Sequence, residues 1–178
     1  MTQRALISLK SQDLVVLLRI HLLAHRAWTY ASLATELGMS ASEVHAGCHR
    51  ARVAQLYNPV ARCLRRENLL EFLLHGLRYA FPVHLGESAQ GVETGLASTL
   101  WGSADPWGGA VRYVWPHPSG EARGQAVVPL HPRLPEVAPR EPELHRAVAL
   151  LDALRAGRSA ERRVAADLLL RHTFAEGR

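Results

Sequence analysis

Along residues 1–81 apolar side chains recur at helical spacing, and the breaks between them carry helix start and stop chemistry. Leu14, Leu17, Leu18 and Leu22 form one stripe behind Ser11, which is placed to cap it. Thr29 caps a short second segment with Leu33 and Leu37 one turn apart, and Gly38 stands where that helix must end in a left-handed residue. A third helix starts almost at once, because Ser40-Ala-Ser-Glu43 is a capping box: the Ser hydroxyl accepts from the amide three residues on and the Glu reaches back. Turning this helix by about 100° per residue puts Val44, Gly47, Cys48, Ala51 and Gln55 on a core face. Ser42, Ala46, His49 and Val53 centre the opposite face, flanked by His45, Arg50 and Arg52. Leu56-Tyr57 and Arg62-Cys63-Leu64, on either side of Asn58-Pro59, predict two short strands. Glu67 to Phe81 reads as a helix that is apolar nearly all round, through Leu69, Leu70, Phe72, Leu73, Leu74, Leu77, Tyr79 and Phe81, and is expected to be covered on several sides.

The texture then changes. Residues 82–139 hold eight Gly and eight Pro, a density at which irregular chain is expected. Within them Val111-Arg-Tyr-Val-Trp115 and Gln125-Ala-Val-Val128 flank a turn around Pro116 to Gly120 and predict a β-hairpin. Residues 140–178 return to helix: Pro142 suits a first turn, Leu144, Val148, Leu151 and Leu154 make one face, and Gly157 is a stop. Ser159 is placed to cap a last helix with Val164, Leu168 and Leu169. The expected organisation is therefore a mainly α (α+β) chain in three parts, 1–81, 82–139 and 140–178.

The 178 residues carry 21 basic and 16 acidic groups, and Lys10 is the only lysine. Residues 1–66 hold nine of the basic groups against Asp13, Glu36 and Glu43, a charge of +6, whereas the remainder is nearly neutral. A basic N-terminal part suggests a polyanionic partner, and Arg suits bidentate contacts to phosphates and guanine edges. Here the helical pair matters. Leu33, Ala34, Leu37, Gly38, Met39 and Val44 give the chain, over roughly residues 10 to 81, a pattern that resembles the winged helix-turn-helix regulators of bacteria. The third helix departs from that pattern at Gly47-Cys48, where the family usually has an aliphatic residue; a mid-helix Gly costs about 1 kcal/mol relative to Ala, so a close-packed neighbour or a frayed helix is expected there. The resemblance implies a winged-helix fold in which Ser42, His45, Ala46, His49 and Arg50 meet base edges while Arg52 and the wing residues Arg62, Arg65 and Arg66 hold phosphates of double-stranded DNA. It also implies a homodimer, with the Glu67–Phe81 helix and Leu144, Val148, Leu151, Leu168 and Leu169 as candidate interface positions.

Other chemistries are poorly represented. No Walker loop, dinucleotide-binding glycine motif, His-Glu-x-x-His or nucleophile elbow appears, so no enzyme and no cofactor are expected. His45, Cys48, His49 and Cys63 are metal-ligand types, but the wheel sends Cys48 inward and His49 outward, and no metal is expected. His84, His117 and His131, with Asp105 and Glu121, read as solvated loop residues. Trp101, Trp107 and Trp115 are expected to pin the Gly/Pro-rich segment to the main body; an alternative reading makes residues 82–178 the surface of a protein-interaction module, antitoxin-like or adaptor-like, with its own protein partner. Two cysteines cannot build a disulfide framework, and no apolar stretch approaches the roughly 20 residues that span a bilayer. A cytoplasmic protein without membrane contact is expected.

Overall fold

The computed structural model describes residues 7–24, 26–101 and 111–175; Trp107 and Asp105 lie outside them. It is a mixed α/β chain that forms two compact units, Met1–Leu69 and Leu70–Arg178. The division falls inside the helix assigned above to the first part, and the Gly/Pro-rich segment and the C-terminal helices belong to one unit rather than two.

In the first unit α1 (Ser11–Leu23), α2 (Tyr30–Leu37) and α3 (Ala41–Val53) are followed by an antiparallel hairpin, β1 (Tyr57–Asn58) with β2 (Cys63–Leu64). Leu14 to Leu18 of α1 are all buried, and α1 packs on α3 and on β2. The cap of α1 differs from expectation: Ser11 is the first helical residue, and Asp13 accepts from the Lys10 amide at 2.8 Å. The hairpin turn is fixed by Asn58, whose side-chain oxygen accepts from the amides of Val60 and Ala61 at 3.0 and 3.2 Å.

The second unit opens within a helical run at Leu70. Beginning at α4 (Arg66–Glu71), the run passes through a π-helical turn, Phe72–Gly76, into α5 (Leu77–Ala80). Leu73 and Leu77 form its buried line, while Phe72 and Leu74 are half-buried and Tyr79 is 73% exposed. The helix is thus covered along one stripe, not on several sides, because its remaining apolar residues lie far enough round to stay at the rim.

Three strands follow. β3 (Ser88–Thr94) pairs antiparallel with β4 (Tyr113–Pro116) through its second half and with β5 (Ala122–Ala126) through its first half, and the three close into a small barrel. β4 and β5 are therefore parallel, with Tyr113 opposite Gln125 and Val114 opposite Ala126. This corrects the expected hairpin: β4 covers most of the first segment, but the second strand lies earlier than expected and includes only Gln125 and Ala126 of Gln125–Val128, and both strands are antiparallel to β3, whose weak strand signal hid the element that organises them. Gly91 is the crossing point, paired with Pro116 on one side and Ala122 on the other.

The short α6 (Leu134–Val137) leads to α7 (Pro142–Ala156) and α8 (Ser159–Leu168), the expected C-terminal helical pair, with Pro142 in the first turn of α7. The α8 cap is Arg158, whose amide donates to Glu161 at 2.7 Å, and Ser159 is the first helical residue. Leu144, Val148, Leu151 and Leu169 are fully buried, and Leu168 is 8% exposed, all within the single chain. That removes them as dimer-interface positions: the barrel and α8 already cover the apolar face of α7. Trp115 pins the middle segment, being fully buried and stacked on His145 with ring centres 5.2 Å apart. Burial holds His145 below the usual histidine range. His131 is also buried rather than solvated.

Candidate nucleic-acid interface

The turn between α2 and α3 follows directly from its residues. Thr29 and Ser32 exchange hydrogen bonds at the start of α2, Oγ1 of Thr29 accepting from the Ser32 amide at 3.0 Å and Oγ of Ser32 accepting from the Thr29 amide at 2.9 Å. Gly38 takes φ 64°, which lets Met39 return its amide to the Ala34 carbonyl at 2.9 Å. Ser40 and Glu43 then form the capping box, at 3.2 and 2.8 Å. Only Gly38, Met39 and Ser40 separate α2 from α3, so the two helices are held at a fixed angle by turn chemistry written entirely in sequence.

α3 buries Val44, Gly47, Cys48 and Ala51, as the wheel predicts; Gln55 lies beyond the helix end, exposed, with φ 59°. The glycine at position 47 is explained by Asp13: a Cβ there would stand 3.0 Å from the Asp13 carboxylate, so a charged side chain, not a neighbouring backbone, fills the space and the helix is intact. Ser42, His45, His49, Arg52 and Val53 are exposed and Ala46 is half-buried, so the outward face exists as expected. Arg52 Nη2 lies 3.4 Å from His49 Nδ1.

Arg50 is not part of that face. Its guanidinium grips Asp13 bidentately, Nε to Oδ2 at 2.8 Å and Nη2 to Oδ1 at 2.7 Å, with the Asp13 side chain 1% exposed. The wheel failed here because a long arginine on the flank of a helix reaches whichever carboxylate lies beneath it, and Asp13 sits on α1 directly under Gly47. Arg62 is also engaged. Its guanidinium carbon lies 4.1 Å from the centre of the Trp28 ring and Nη2 donates to the Trp28 carbonyl at 2.9 Å. Arg65 and Arg66 are exposed at the exit of the hairpin.

Trp28 links the hairpin to the outward helix face. Its ring meets Tyr30 edge-on at 5.7 Å, and Tyr30 in turn meets His45 edge-on at 5.1 Å. The hairpin turn, the start of α2 and the exposed side of α3 therefore form one continuous surface through Arg62, Trp28, Tyr30 and His45. Nothing in composition or helical periodicity pointed to this aromatic chain; the one available signal was the crowding of Trp28 and Tyr30 around the Thr29 cap. On the other flank, Ile7, Ser8 and Lys10 wall a concave pocket of about 460 Å³ against His45, Ala46, His49 and Arg50.

Three of the unit's acidic residues have partners within it, while Glu67 is exposed beside Arg66. Asp13 holds Arg50, Glu36 holds Arg19 at 2.6 Å and Glu43 caps α3. Lys10, Arg52, Arg65 and Arg66 are exposed cations of this unit. Cys48 is buried, and burial next to Asp13 pushes its thiol up to about 11; Cys63 is exposed on β2. Among the described residues no group of three or more His, Cys, Asp or Glu is placed to hold a metal ion, and no helix is long and apolar enough to cross a membrane. No protein-family model, curated protein or solved structure matches this chain.

Proposed function

We propose that the first unit binds double-stranded DNA as a winged helix-turn-helix module of a transcriptional regulator, with α3 as the recognition helix and β1–β2 as a minimal wing. The observation that carries this reading is the continuous surface from the hairpin through Trp28 and Tyr30 to the outward face of α3, beneath which Asp13 is held by Arg50. A major groove about 12 Å wide admits one helix. Half-buried Ala46 at the centre of the face allows close approach, with Ser42, His45 and His49 offering hydrogen-bond groups to base edges. Arg52, Arg65 and Arg66 serve phosphates; Arg62 braces the wing against Trp28. Useful specificity takes two half-sites about one helical turn apart, so two copies are proposed to bind neighbouring turns through a surface other than the buried leucines of α7 and α8.

Titrating the purified chain into a pool of genomic duplexes from low to physiological salt tests this. Each phosphate contact contributes about −0.9 to the slope of log K against log salt. Arg52→Ala and Arg65→Ala are expected to weaken all sequences alike and to flatten that slope by about 1 each, whereas His49→Ala relaxes the preference at a base position and costs about 1 to 3 kcal/mol on a selected site. Arg50→Ala behaves differently: stranding the Asp13 carboxylate lowers the stability of the unit by about 1 to 3 kcal/mol, read by urea unfolding, with no change in base preference. Absence of duplex binding at low salt overturns the proposal.

A further inference from the structure

A second site lies in the C-terminal unit, where a pocket of about 340 Å³ opens between the π-helical turn with α5 on one side and α7 with α8 on the other. Its floor is apolar, from Leu73, Leu74, Leu154 and Ala166. Its walls carry His75, Arg78, Arg162 and Arg163, with the Tyr79 ring at the rim. Among the described residues no acidic side chain lines it. Among nearby acids, Glu161 accepts from the amides of Arg158 and Val111, at 2.7 and 3.1 Å, Asp167 pairs with Arg171 at 2.9 Å, and Glu71, exposed at the end of α4, is not among the lining residues. Asp152 is buried against Arg155 at 2.7 Å.

The cations are partly preset. Arg162 Nη1 donates to the Gly157 carbonyl at 2.6 Å, which fixes one arm of the guanidinium, and the Arg78 guanidinium carbon lies 5.0 Å from the centre of the Tyr79 ring. The wall that supplies Leu73, Leu74 and His75 is the π turn itself. Such turns are uncommon and occur often at functional sites, because the extra residue redirects side chains that a regular helix would place elsewhere.

We propose that this pocket binds a small organic anion: an acid group, carboxylate or phosphate monoester, held by Arg78, Arg162 and Arg163, on an aliphatic or aromatic body resting on the leucine floor. The size is at the lower end of small-molecule sites. Inorganic phosphate leaves the leucines unused, and a duplex backbone has no apolar group to fill the concavity. The proposal stands independently of DNA binding by the first unit.

Calorimetric titration of the full chain with phenyl phosphate, octanoate and inorganic phosphate tests it. Saturable one-to-one binding of phenyl phosphate or octanoate is expected, about tenfold or more tighter than inorganic phosphate, and the Arg78→Gln/Arg163→Gln variant loses about tenfold or more of it. Circular dichroism checks that the variant keeps its helices. Should it unfold, amide shifts of the unmodified chain on adding phenyl phosphate decide the matter, with the largest changes expected at residues 73–79 and 162–166. Three outcomes overturn the proposal: no saturable binding of either organic anion, equal affinity for inorganic phosphate, or shifts centred elsewhere. If the double substitution weakens duplex binding while the organic anions fail to bind, the cluster is a DNA-backbone contact and the proposal fails.

Discussion

Replacing Asp152 by Ala is expected to lower the stability of the C-terminal unit by about 3 to 5 kcal/mol, the range for removing one partner of a buried charge pair. Asp152 lies on α7 with no exposed surface. Its Oδ2 accepts from the Trp115 indole N–H of β4 at 2.6 Å and from the Thr94 hydroxyl of β3 at 2.9 Å, while Oδ1 accepts from Arg155 at 2.7 Å. Burial pushes this carboxyl above its usual range; the Arg155 charge and the Trp115 and Thr94 donors pull the other way. Every neighbour is a donor, so the carboxylate is the form that satisfies them. Truncation leaves the indole N–H and hydroxyl without an acceptor in the core, together with a guanidinium whose side chain is only 5% exposed. Arg155 retains a bond to the Phe81 carbonyl at 3.0 Å, which cannot neutralise it. Adding Arg155→Met to Asp152→Ala is expected to recover part of the loss, since no cation is then stranded. Urea unfolding followed by tryptophan fluorescence measures both, and a loss below about 1 kcal/mol for Asp152→Ala would falsify the view that this carboxylate ties the helix to the barrel.

Gly91→Ala is the second large effect, expected at about 3 kcal/mol or more. A Cβ at this position would overlap the carbonyl oxygen of Trp115 and stand 2.7 Å from its carbonyl carbon, both of them backbone atoms that no rotamer change can move. Gly120 adds a second demand at the same place, because its own Cβ would overlap the backbone of Gly91. The barrel is so narrow that two chain segments cross with only hydrogen between them. By contrast Gly86→Ala would place its Cβ 3.1 Å from the Ala126 methyl, at the strand margin, and is expected to cost less than about 1 kcal/mol. Melting curves of the two variants distinguish a crossing that depends on glycine from a general intolerance of added methyls; equal losses would argue for the latter.

The first unit was readable because its signals are local. Thr29, Gly38, Ser40 and Glu43 each satisfy or terminate a neighbouring turn, so helix boundaries and the outward face of α3 follow from a few residues at a time. Even the two-residue strands were visible, since Asn58 makes its turn within its own hairpin. What escaped was every interaction between distant residues. The Arg50–Asp13 pair spans α3 and α1, and helical periodicity says where an arginine begins but not where its guanidinium ends. β3 escaped for a related reason. Ser-Ala-Gln-Gly-Val-Glu-Thr has neither the alternation nor the β-branched content of an ordinary strand, and it is made a strand by the two partners that wrap it. Likewise His145 carried no sequence signal, because its partner, the Trp115 ring, comes from a strand whose placement depends on β3.

The unequal surroundings of the two thiols give the molecule a built-in attachment point. At neutral pH Cys48 offers neither access nor thiolate, its sulfur being sealed beneath α3 with its titration moved to about 11. Cys63 stands in water on β2, across the ladder from Asn58. A maleimide dye therefore reacts at one sulfur of the unmodified chain and places its chromophore on the hairpin. Polarisation of that dye then reports directly on the approach of a large ligand to the hairpin side of α3, without a cysteine having to be added or removed.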